Sequence, residues 1–166
     1  MFKATLLLLL ASQGLCNPIG AYRHPRMGGR DSAPIITNFS WQEFAANTGV
    51  DPKAYITNPG KGIEENFTCT KQTGPDRLDC PGAISAWTEQ TEDGHLKIKA
   101  GQCIAATKNL CRTVVCAPRG SLNIHIDQII GRMWNPLSMR CVLGGRGGIL
   151  QSKDSAFIIE MGTPQE

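Results

Sequence analysis

Residues 95–126 read HLKIKAGQCIAATKNLCRTVVCAPRGSLNIHI, and the spacing in this stretch decides the fold. Leu96 and Ile98 alternate with His95, Lys97 and Lys99, the two-residue period of a strand buried on one side. Gly101 leads into Cys103-Ile104-Ala105 as a second strand, and Thr113-Val114-Val115-Cys116 is a third. Leu122, Ile124 and Ile126 then alternate with Ser121, Asn123 and His125 as a fourth. Strands this close together are joined by links of hairpin length, which pair strands antiparallel.

Helical spacing appears on both sides of that block. Asp79 or Cys80 precedes Pro81 at a helix start, with Ala83, Ile84 and Trp87 on one face before Glu92-Asp93-Gly94 turns the chain. Downstream, Asp127 is placed to cap a helix that presents Ile129, Ile130 and Met133. Two further apolar runs follow, Gly148-Ile149-Leu150 and Ala156-Phe157-Ile158-Ile159. The order helix, strands, helix, strands predicts one α+β domain over 66–166, an antiparallel sheet with helices packed on one face.

The N-terminus supplies the compartment. Lys3, the apolar run Leu6 to Leu10, and then Ser12, Gly14 and Cys16 have the order of a secretory signal peptide over 1–16. Its removal takes Cys16 away and leaves Cys69, Cys80, Cys103, Cys111, Cys116 and Cys141, an even set in an oxidising compartment, so three disulfides are expected. Six cysteines allow fifteen connectivities. One of them joins Cys80 to Cys103, Cys111 to Cys116 and Cys69 to Cys141. Asn38-Phe39-Ser40 and Asn66-Phe67-Thr68 are N-glycosylation sequons, which agree with secretion. The chain has 17 basic and 14 acidic side chains, and only Lys3 leaves with the leader. A balance so near neutral points away from nucleic acid as a partner. Outside the leader no apolar run approaches the length of a membrane span, and the polar end Gly162 to Glu166 is unlike a lipid-anchor signal. A monomeric extracellular protein is the expectation.

Residues 17–36 hold three prolines, three glycines and Arg23, Arg26 and Arg30 without an apolar period, the composition of a flexible basic arm. Residues 37–65 read as a short helical extension. Ser40-Trp41-Gln42-Glu43 has the form of a capping box, with Phe39, Phe44 and Ala45 as apolar cover. Asp51-Pro52 offers a second start and Asn58-Pro59-Gly60 a stop.

Several of these residues resemble a known family. Asp79-Cys80, the helix to Trp87, Leu96 followed by Gly101-Gln102-Cys103, the strand into Asp127-Gln128-Ile129-Ile130, and Arg140 ahead of a Gly-rich turn are similar in layout to the necrosis-inducing effector domain secreted by plant-associated fungi. The likeness covers about Cys69 to Leu150. It implies a disulfide-bonded, killer-toxin-like α/β sandwich and a small cysteine-rich effector that acts on a host or competitor cell by binding a surface protein or polysaccharide. It transfers no catalytic residue and no cofactor.

The chemistry of individual residues supports the same choice. No Cys-x-x-Cys pair with a following His-x-x-x-His is present for zinc, and no Gly-x-Ser-x-Gly elbow for a serine hydrolase. An alternative is a secreted, nuclease-like hydrolase using His95 or His125 with a carboxylate such as Glu92, and Arg140 on a phosphate. Alternation along its strand turns His125 away from Ile124 and Ile126, towards solvent. The candidate binding residues are Trp134, Arg140 and Arg146, and the candidate contact loops are 58–62, 134–137 and 144–148. Arg146 lies in Gly144-Gly145-Arg146-Gly147-Gly148, which reads as a mobile hairpin turn.

Overall fold

The computed structural model of the chain describes residues 32–48 and 66–164. The signal-peptide reading, most of the basic arm, the Asp51-Pro52 helix start and the 58–62 loop lie outside the described residues. Six strands form one antiparallel sheet in the order β1 (Ile35–Ser40), β4 (Gln102–Lys108), β5 (Cys111–Ala117), β8 (Ile158–Gly162), β7 (Arg146–Gln151) and β2 (Asn66–Thr73). A second sheet pairs β3 (His95–Ile98) with β6 (Leu122–His125). The expectation of an antiparallel α+β fold holds, and the four strands read between residues 95 and 126 all form. They divide between two sheets rather than sharing one.

The pleat of the large sheet sorts its residues into two clusters. Ala106, Val115, Leu150, Ile159 and Met161 face one way, where they meet Trp87, Leu96, Ile129, Met133 and Leu137. Each of the Val, Leu, Ile and Met side chains among them contributes about 1.5–3 kcal/mol by leaving water. Cys103, Ala105, Val114, Ile149 and Ile158 face the other way and meet Phe44. Phe44 belongs to α1 (Trp41–Thr48), whereas α2 (Cys80–Ser85) and α3 (Ile126–Arg132) serve the first cluster. The helices therefore cover both faces, because alternation left an apolar row on the second face that needed its own cover.

Local chemistry explains the element ends. The Glu43 amide donates to Ser40 Oγ at 3.1 Å, the half of the capping box the sequence called for. Residues 35–40 are a strand paired along β4, although the sequence reading ended the basic arm and began a helical extension there. Pairing with β4 supplies the backbone partners, which a stretch with no apolar period did not announce. Asp79 precedes α2 but does not cap it with its side chain. Its carboxylate instead accepts from Asn109 Nδ2 and the Leu110 amide, each at 3.1 Å, tying the helix start to the β4–β5 turn. The cap of α3 is His125, two residues before its expected place at Asp127, whose amide donates to His125 Nδ1 at 3.4 Å.

Three disulfides link Cys69 to Cys141, Cys80 to Cys111 and Cys103 to Cys116. Only the first agrees with the arrangement offered above. Cys111 and Cys116 both lie in β5, five residues apart, so they point to opposite faces and stand about 16 Å apart along the strand. Cys116 faces Cys103 directly across the ladder, with Cα atoms 4.0 Å apart. Cys111 opens on the side where α2 brings Cys80.

Candidate functional site

Between α3 and β7 the chain runs through an irregular helical segment, Met133–Cys141, and a single turn, Val142–Gly144. Asn135 has an extended backbone in the middle of the first piece, and the peptide joining it to Pro136 is cis. Met133, Leu137, Cys141 and Val142 point inward and are buried, and the disulfide from Cys141 to Cys69 fastens the segment to β2. With those residues and Ser138 taking the inward positions, Trp134, Met139, Arg140 and Leu143 are left outside. Trp134 is 42% exposed, Met139 62% and Leu143 56%, three of the six large apolar side chains exposed among the described residues.

Basic residues flank these apolar ones. Arg140 is exposed and its guanidinium lies 5.6 Å from the centre of the Phe67 ring. That stacking holds the charge against β2 while leaving it open to solvent. Arg146 is exposed at the first position of β7, opposite Thr73 of β2. All three residues chosen from the sequence, Trp134, Arg140 and Arg146, thus belong to one stretch of 13 positions on the surface. Met139 and Leu143 were missed. The only available signal was that Leu137 and Cys141 occupy the inward positions, and the irregular helix hides that spacing.

The 144–148 stretch is only partly a turn. Gly145 takes φ +74°, a conformation open to glycine without strain, but Arg146, Gly147 and Gly148 are already in β7 and both glycines are buried. A side chain at Gly148 would come within 2.9 Å of Leu137 Cδ2 and 3.0 Å of Cys141 Sγ. The glycine therefore permits the irregular segment to sit directly on the sheet.

Of the residues named for the hydrolase alternative, the structure brings His95 and His125 together. Glu92 is bound to Lys97, and this hydrogen-bonded cation holds its carboxyl below the usual range. Arg140 lies over Phe67, far along the chain from that pair. His95 and His125 are direct partners across the β3–β6 ladder, and their rings meet edge to face at 5.3 Å. His125 is solvent-facing, as its strand parity requires, with 48% of its side chain exposed. Sequence reading treated the two histidines as alternatives because nothing in the spacing fixed the register that unites them.

Two grooves lie elsewhere. One of about 490 Å³ opens beside β1, lined by Phe39, Glu43, Thr107 and Arg112, with Asn38 of the first sequon on its wall. Arg112 sits over Phe39 at 5.0 Å and attracts Glu160, yet burial dominates and pushes the Glu160 carboxyl up. The other, about 700 Å³, runs between α3 and the β7–β8 turn, with Gln128, Arg132, Lys153 and Phe157 on its walls. Asp154 at its edge is held below the ordinary carboxylate range by the Ser152 hydroxyl and the Ala156 amide.

No family model, no curated protein and no solved structure matches the chain. Three disulfides fit an oxidising, extracellular setting. Among the described residues no helix is long and apolar enough to cross a membrane.

Proposed function

We propose that the chain is a secreted effector- or toxin-like protein, with a killer-toxin-like α/β sandwich, that acts on a host or competitor cell by binding rather than by catalysis. The observation that carries this reading is the surface of residues 134–146. Trp134, Met139 and Leu143 are held out of the core beside Arg140 and Arg146 by a segment pinned with a disulfide. Trp, Met and Arg are the residue types enriched at protein interfaces, and a backbone already fixed loses little freedom on binding. This mixture of one aromatic ring with two other apolar and two basic side chains suits a surface protein better than a polysaccharide, which would favour a row of aromatic rings. The signal-peptide pattern, the sequons at Asn38 and Asn66 and the disulfides together support secretion. Saturable binding of the labelled, disulfide-intact protein to intact plant or fungal cells tests the proposal. Loss of binding after protease treatment of the cells identifies a protein receptor; loss after glycosidase treatment instead identifies a polysaccharide.

A secreted nuclease-like hydrolase is the second reading, and the His95–His125 contact favours it. Two imidazoles side by side can share the acid and base roles in phosphodiester cleavage. RNA cleavage by the purified protein, abolished in both His95→Gln and His125→Gln, would establish that activity in place of the first reading.

A further inference from the structure

We propose that His95 and His125 form a binding site for a late first-row divalent cation, with zinc as the representative ion. The β3–β6 ladder creates the pair. The Ile126 amide donates to the Gly94 carbonyl at 2.9 Å, so the hydrogen-bonded rung lies next to the histidines. Alternation then makes His95 opposite His125 the narrow rung, where side chains stand closest, and the ring centres are 5.3 Å apart.

Each ring also has an acceptor in place for the proton on its other nitrogen. His95 Nδ1 lies 2.9 Å from the Asp93 carbonyl oxygen. His125 Nδ1 lies 3.3 Å from Asp127 Oδ2. Coordination through Nε2 leaves the proton on Nδ1, and a carbonyl or carboxylate at that position is the usual orienting partner of a metal-bound imidazole. Without a cation, His125 Nδ1 accepts the Asp127 amide at 3.4 Å; the same two residues thus serve both tautomers.

Space and charge agree with the assignment. Gly94 holds φ +74°, and a Cβ there would stand 3.4 Å from His125 Nε2, so its lack of a side chain keeps the approach to that nitrogen clear. Lys97, on the same side of β3 as His95, is engaged by Glu92, which offsets its repulsion of a cation. Asp93 and Asp127 add exposed negative charge beside the two rings. Among the described residues no three His, Cys, Asp or Glu side chains converge as a metal centre. The cation therefore takes two imidazoles from the protein and fills its remaining positions with water. Imidazole donors select zinc, copper or nickel over calcium and magnesium, which prefer oxygen.

Titration of zinc chloride into the disulfide-intact protein at pH 7.5, followed by calorimetry, tests this site. One saturable equivalent is expected, with no competition from magnesium. His95→Gln and His125→Gln each abolish it, whereas His24→Gln, which removes the third histidine of the chain, leaves it intact. Asp127→Asn weakens binding about 10-fold through the loss of its orienting carboxylate, with the thermal midpoint unchanged. Zinc-induced shifts of the His95 and His125 ring nitrogens in the unsubstituted protein give a readout independent of variant folding. Absence of saturable uptake, ring-nitrogen signals that do not move, or retention of binding in either glutamine variant would overturn the proposal. So would loss of binding in His24→Gln, or undiminished affinity in Asp127→Asn.

Discussion

The β4–β5 hairpin and the segment from Met133 to Arg146 use their apolar residues in opposite ways. In the hairpin, Cys103, Ala105, Ala106, Val114, Val115 and Cys116 are all at most 1% exposed, and both faces of β5 are covered. In the segment, every inward apolar residue has an outward neighbour that water reaches. The hairpin is an interior element whose side chains hold the molecule together. The segment is anchored at a few points and leaves its remaining apolar surface outside, so the two stretches divide buried from exposed apolar surface, and the proposed function gives the exposed part to recognition.

The strongest way to break this contrast is on the hairpin side. Trp87 is fully buried over β5 and its indole N–H donates to Thr113 Oγ1 at 2.8 Å. Trp87→Ala is expected to cost about 3–5 kcal/mol in denaturant unfolding, from the lost burial of the ring together with the cavity it leaves. Disulfide removal ranks next. Replacing Cys69 and Cys141 by Ser opens a separation of 72 residues, against 13 for Cys103 and Cys116. The chain-entropy model makes the first loss greater by roughly 1.5 kcal/mol. Equal losses would mean that strain or residual structure outweighs loop length.

Gly148→Ala sharpens the boundary between the two regions. The added methyl meets Leu137 and Cys141, so a loss of about 1–3 kcal/mol is expected in thermal or denaturant unfolding, from overpacking. A smaller effect is expected at Glu160, on the second face of the sheet. Burial raises its carboxyl pKa in the folded state, so the native protein binds more protons than the unfolded chain between the ordinary glutamate value and the raised one. Stability therefore increases as pH falls through that window, and Glu160→Gln should remove this part of the pH dependence while stabilising the protein above it. The smallest change in stability is expected for Trp134→Ala, within about 0.5 kcal/mol, because the residue is already 42% exposed.

The contrast also explains what could be read in advance. In β3 and β6 burial follows parity, so Leu96, Ile98 and Leu122 announced their strands, whereas β5, buried on both faces, was legible as the apolar run from Thr113 to Cys116. Of the arrangement offered from the sequence, only Cys69 to Cys141 formed; Cys80 to Cys103 and Cys111 to Cys116 failed because the positions of Cys103, Cys111 and Cys116 along β4 and β5 fix which face each one occupies. Residues 35–40 gave no warning of a strand because their partners are in β4, more than sixty positions away. Trp134, Arg140 and Arg146 were visible as exposed types near turns. Met139 and Leu143 were hidden because an irregular helix has no single period. The meeting of His95 and His125 is a matter of register, which the sequence pattern left open.

Binding of labelled protein to intact cells by the native chain and by a Trp134→Ala, Arg140→Ala variant is the most direct test of the central claim. The native protein is expected to bind saturably and the variant at least about 10-fold more weakly, as loss of an interface anchor does, while their thermal midpoints stay within about 5 °C of each other. Equal binding by the two proteins, or no binding by the native protein accompanied by RNA cleavage that needs His95 and His125, would contradict it.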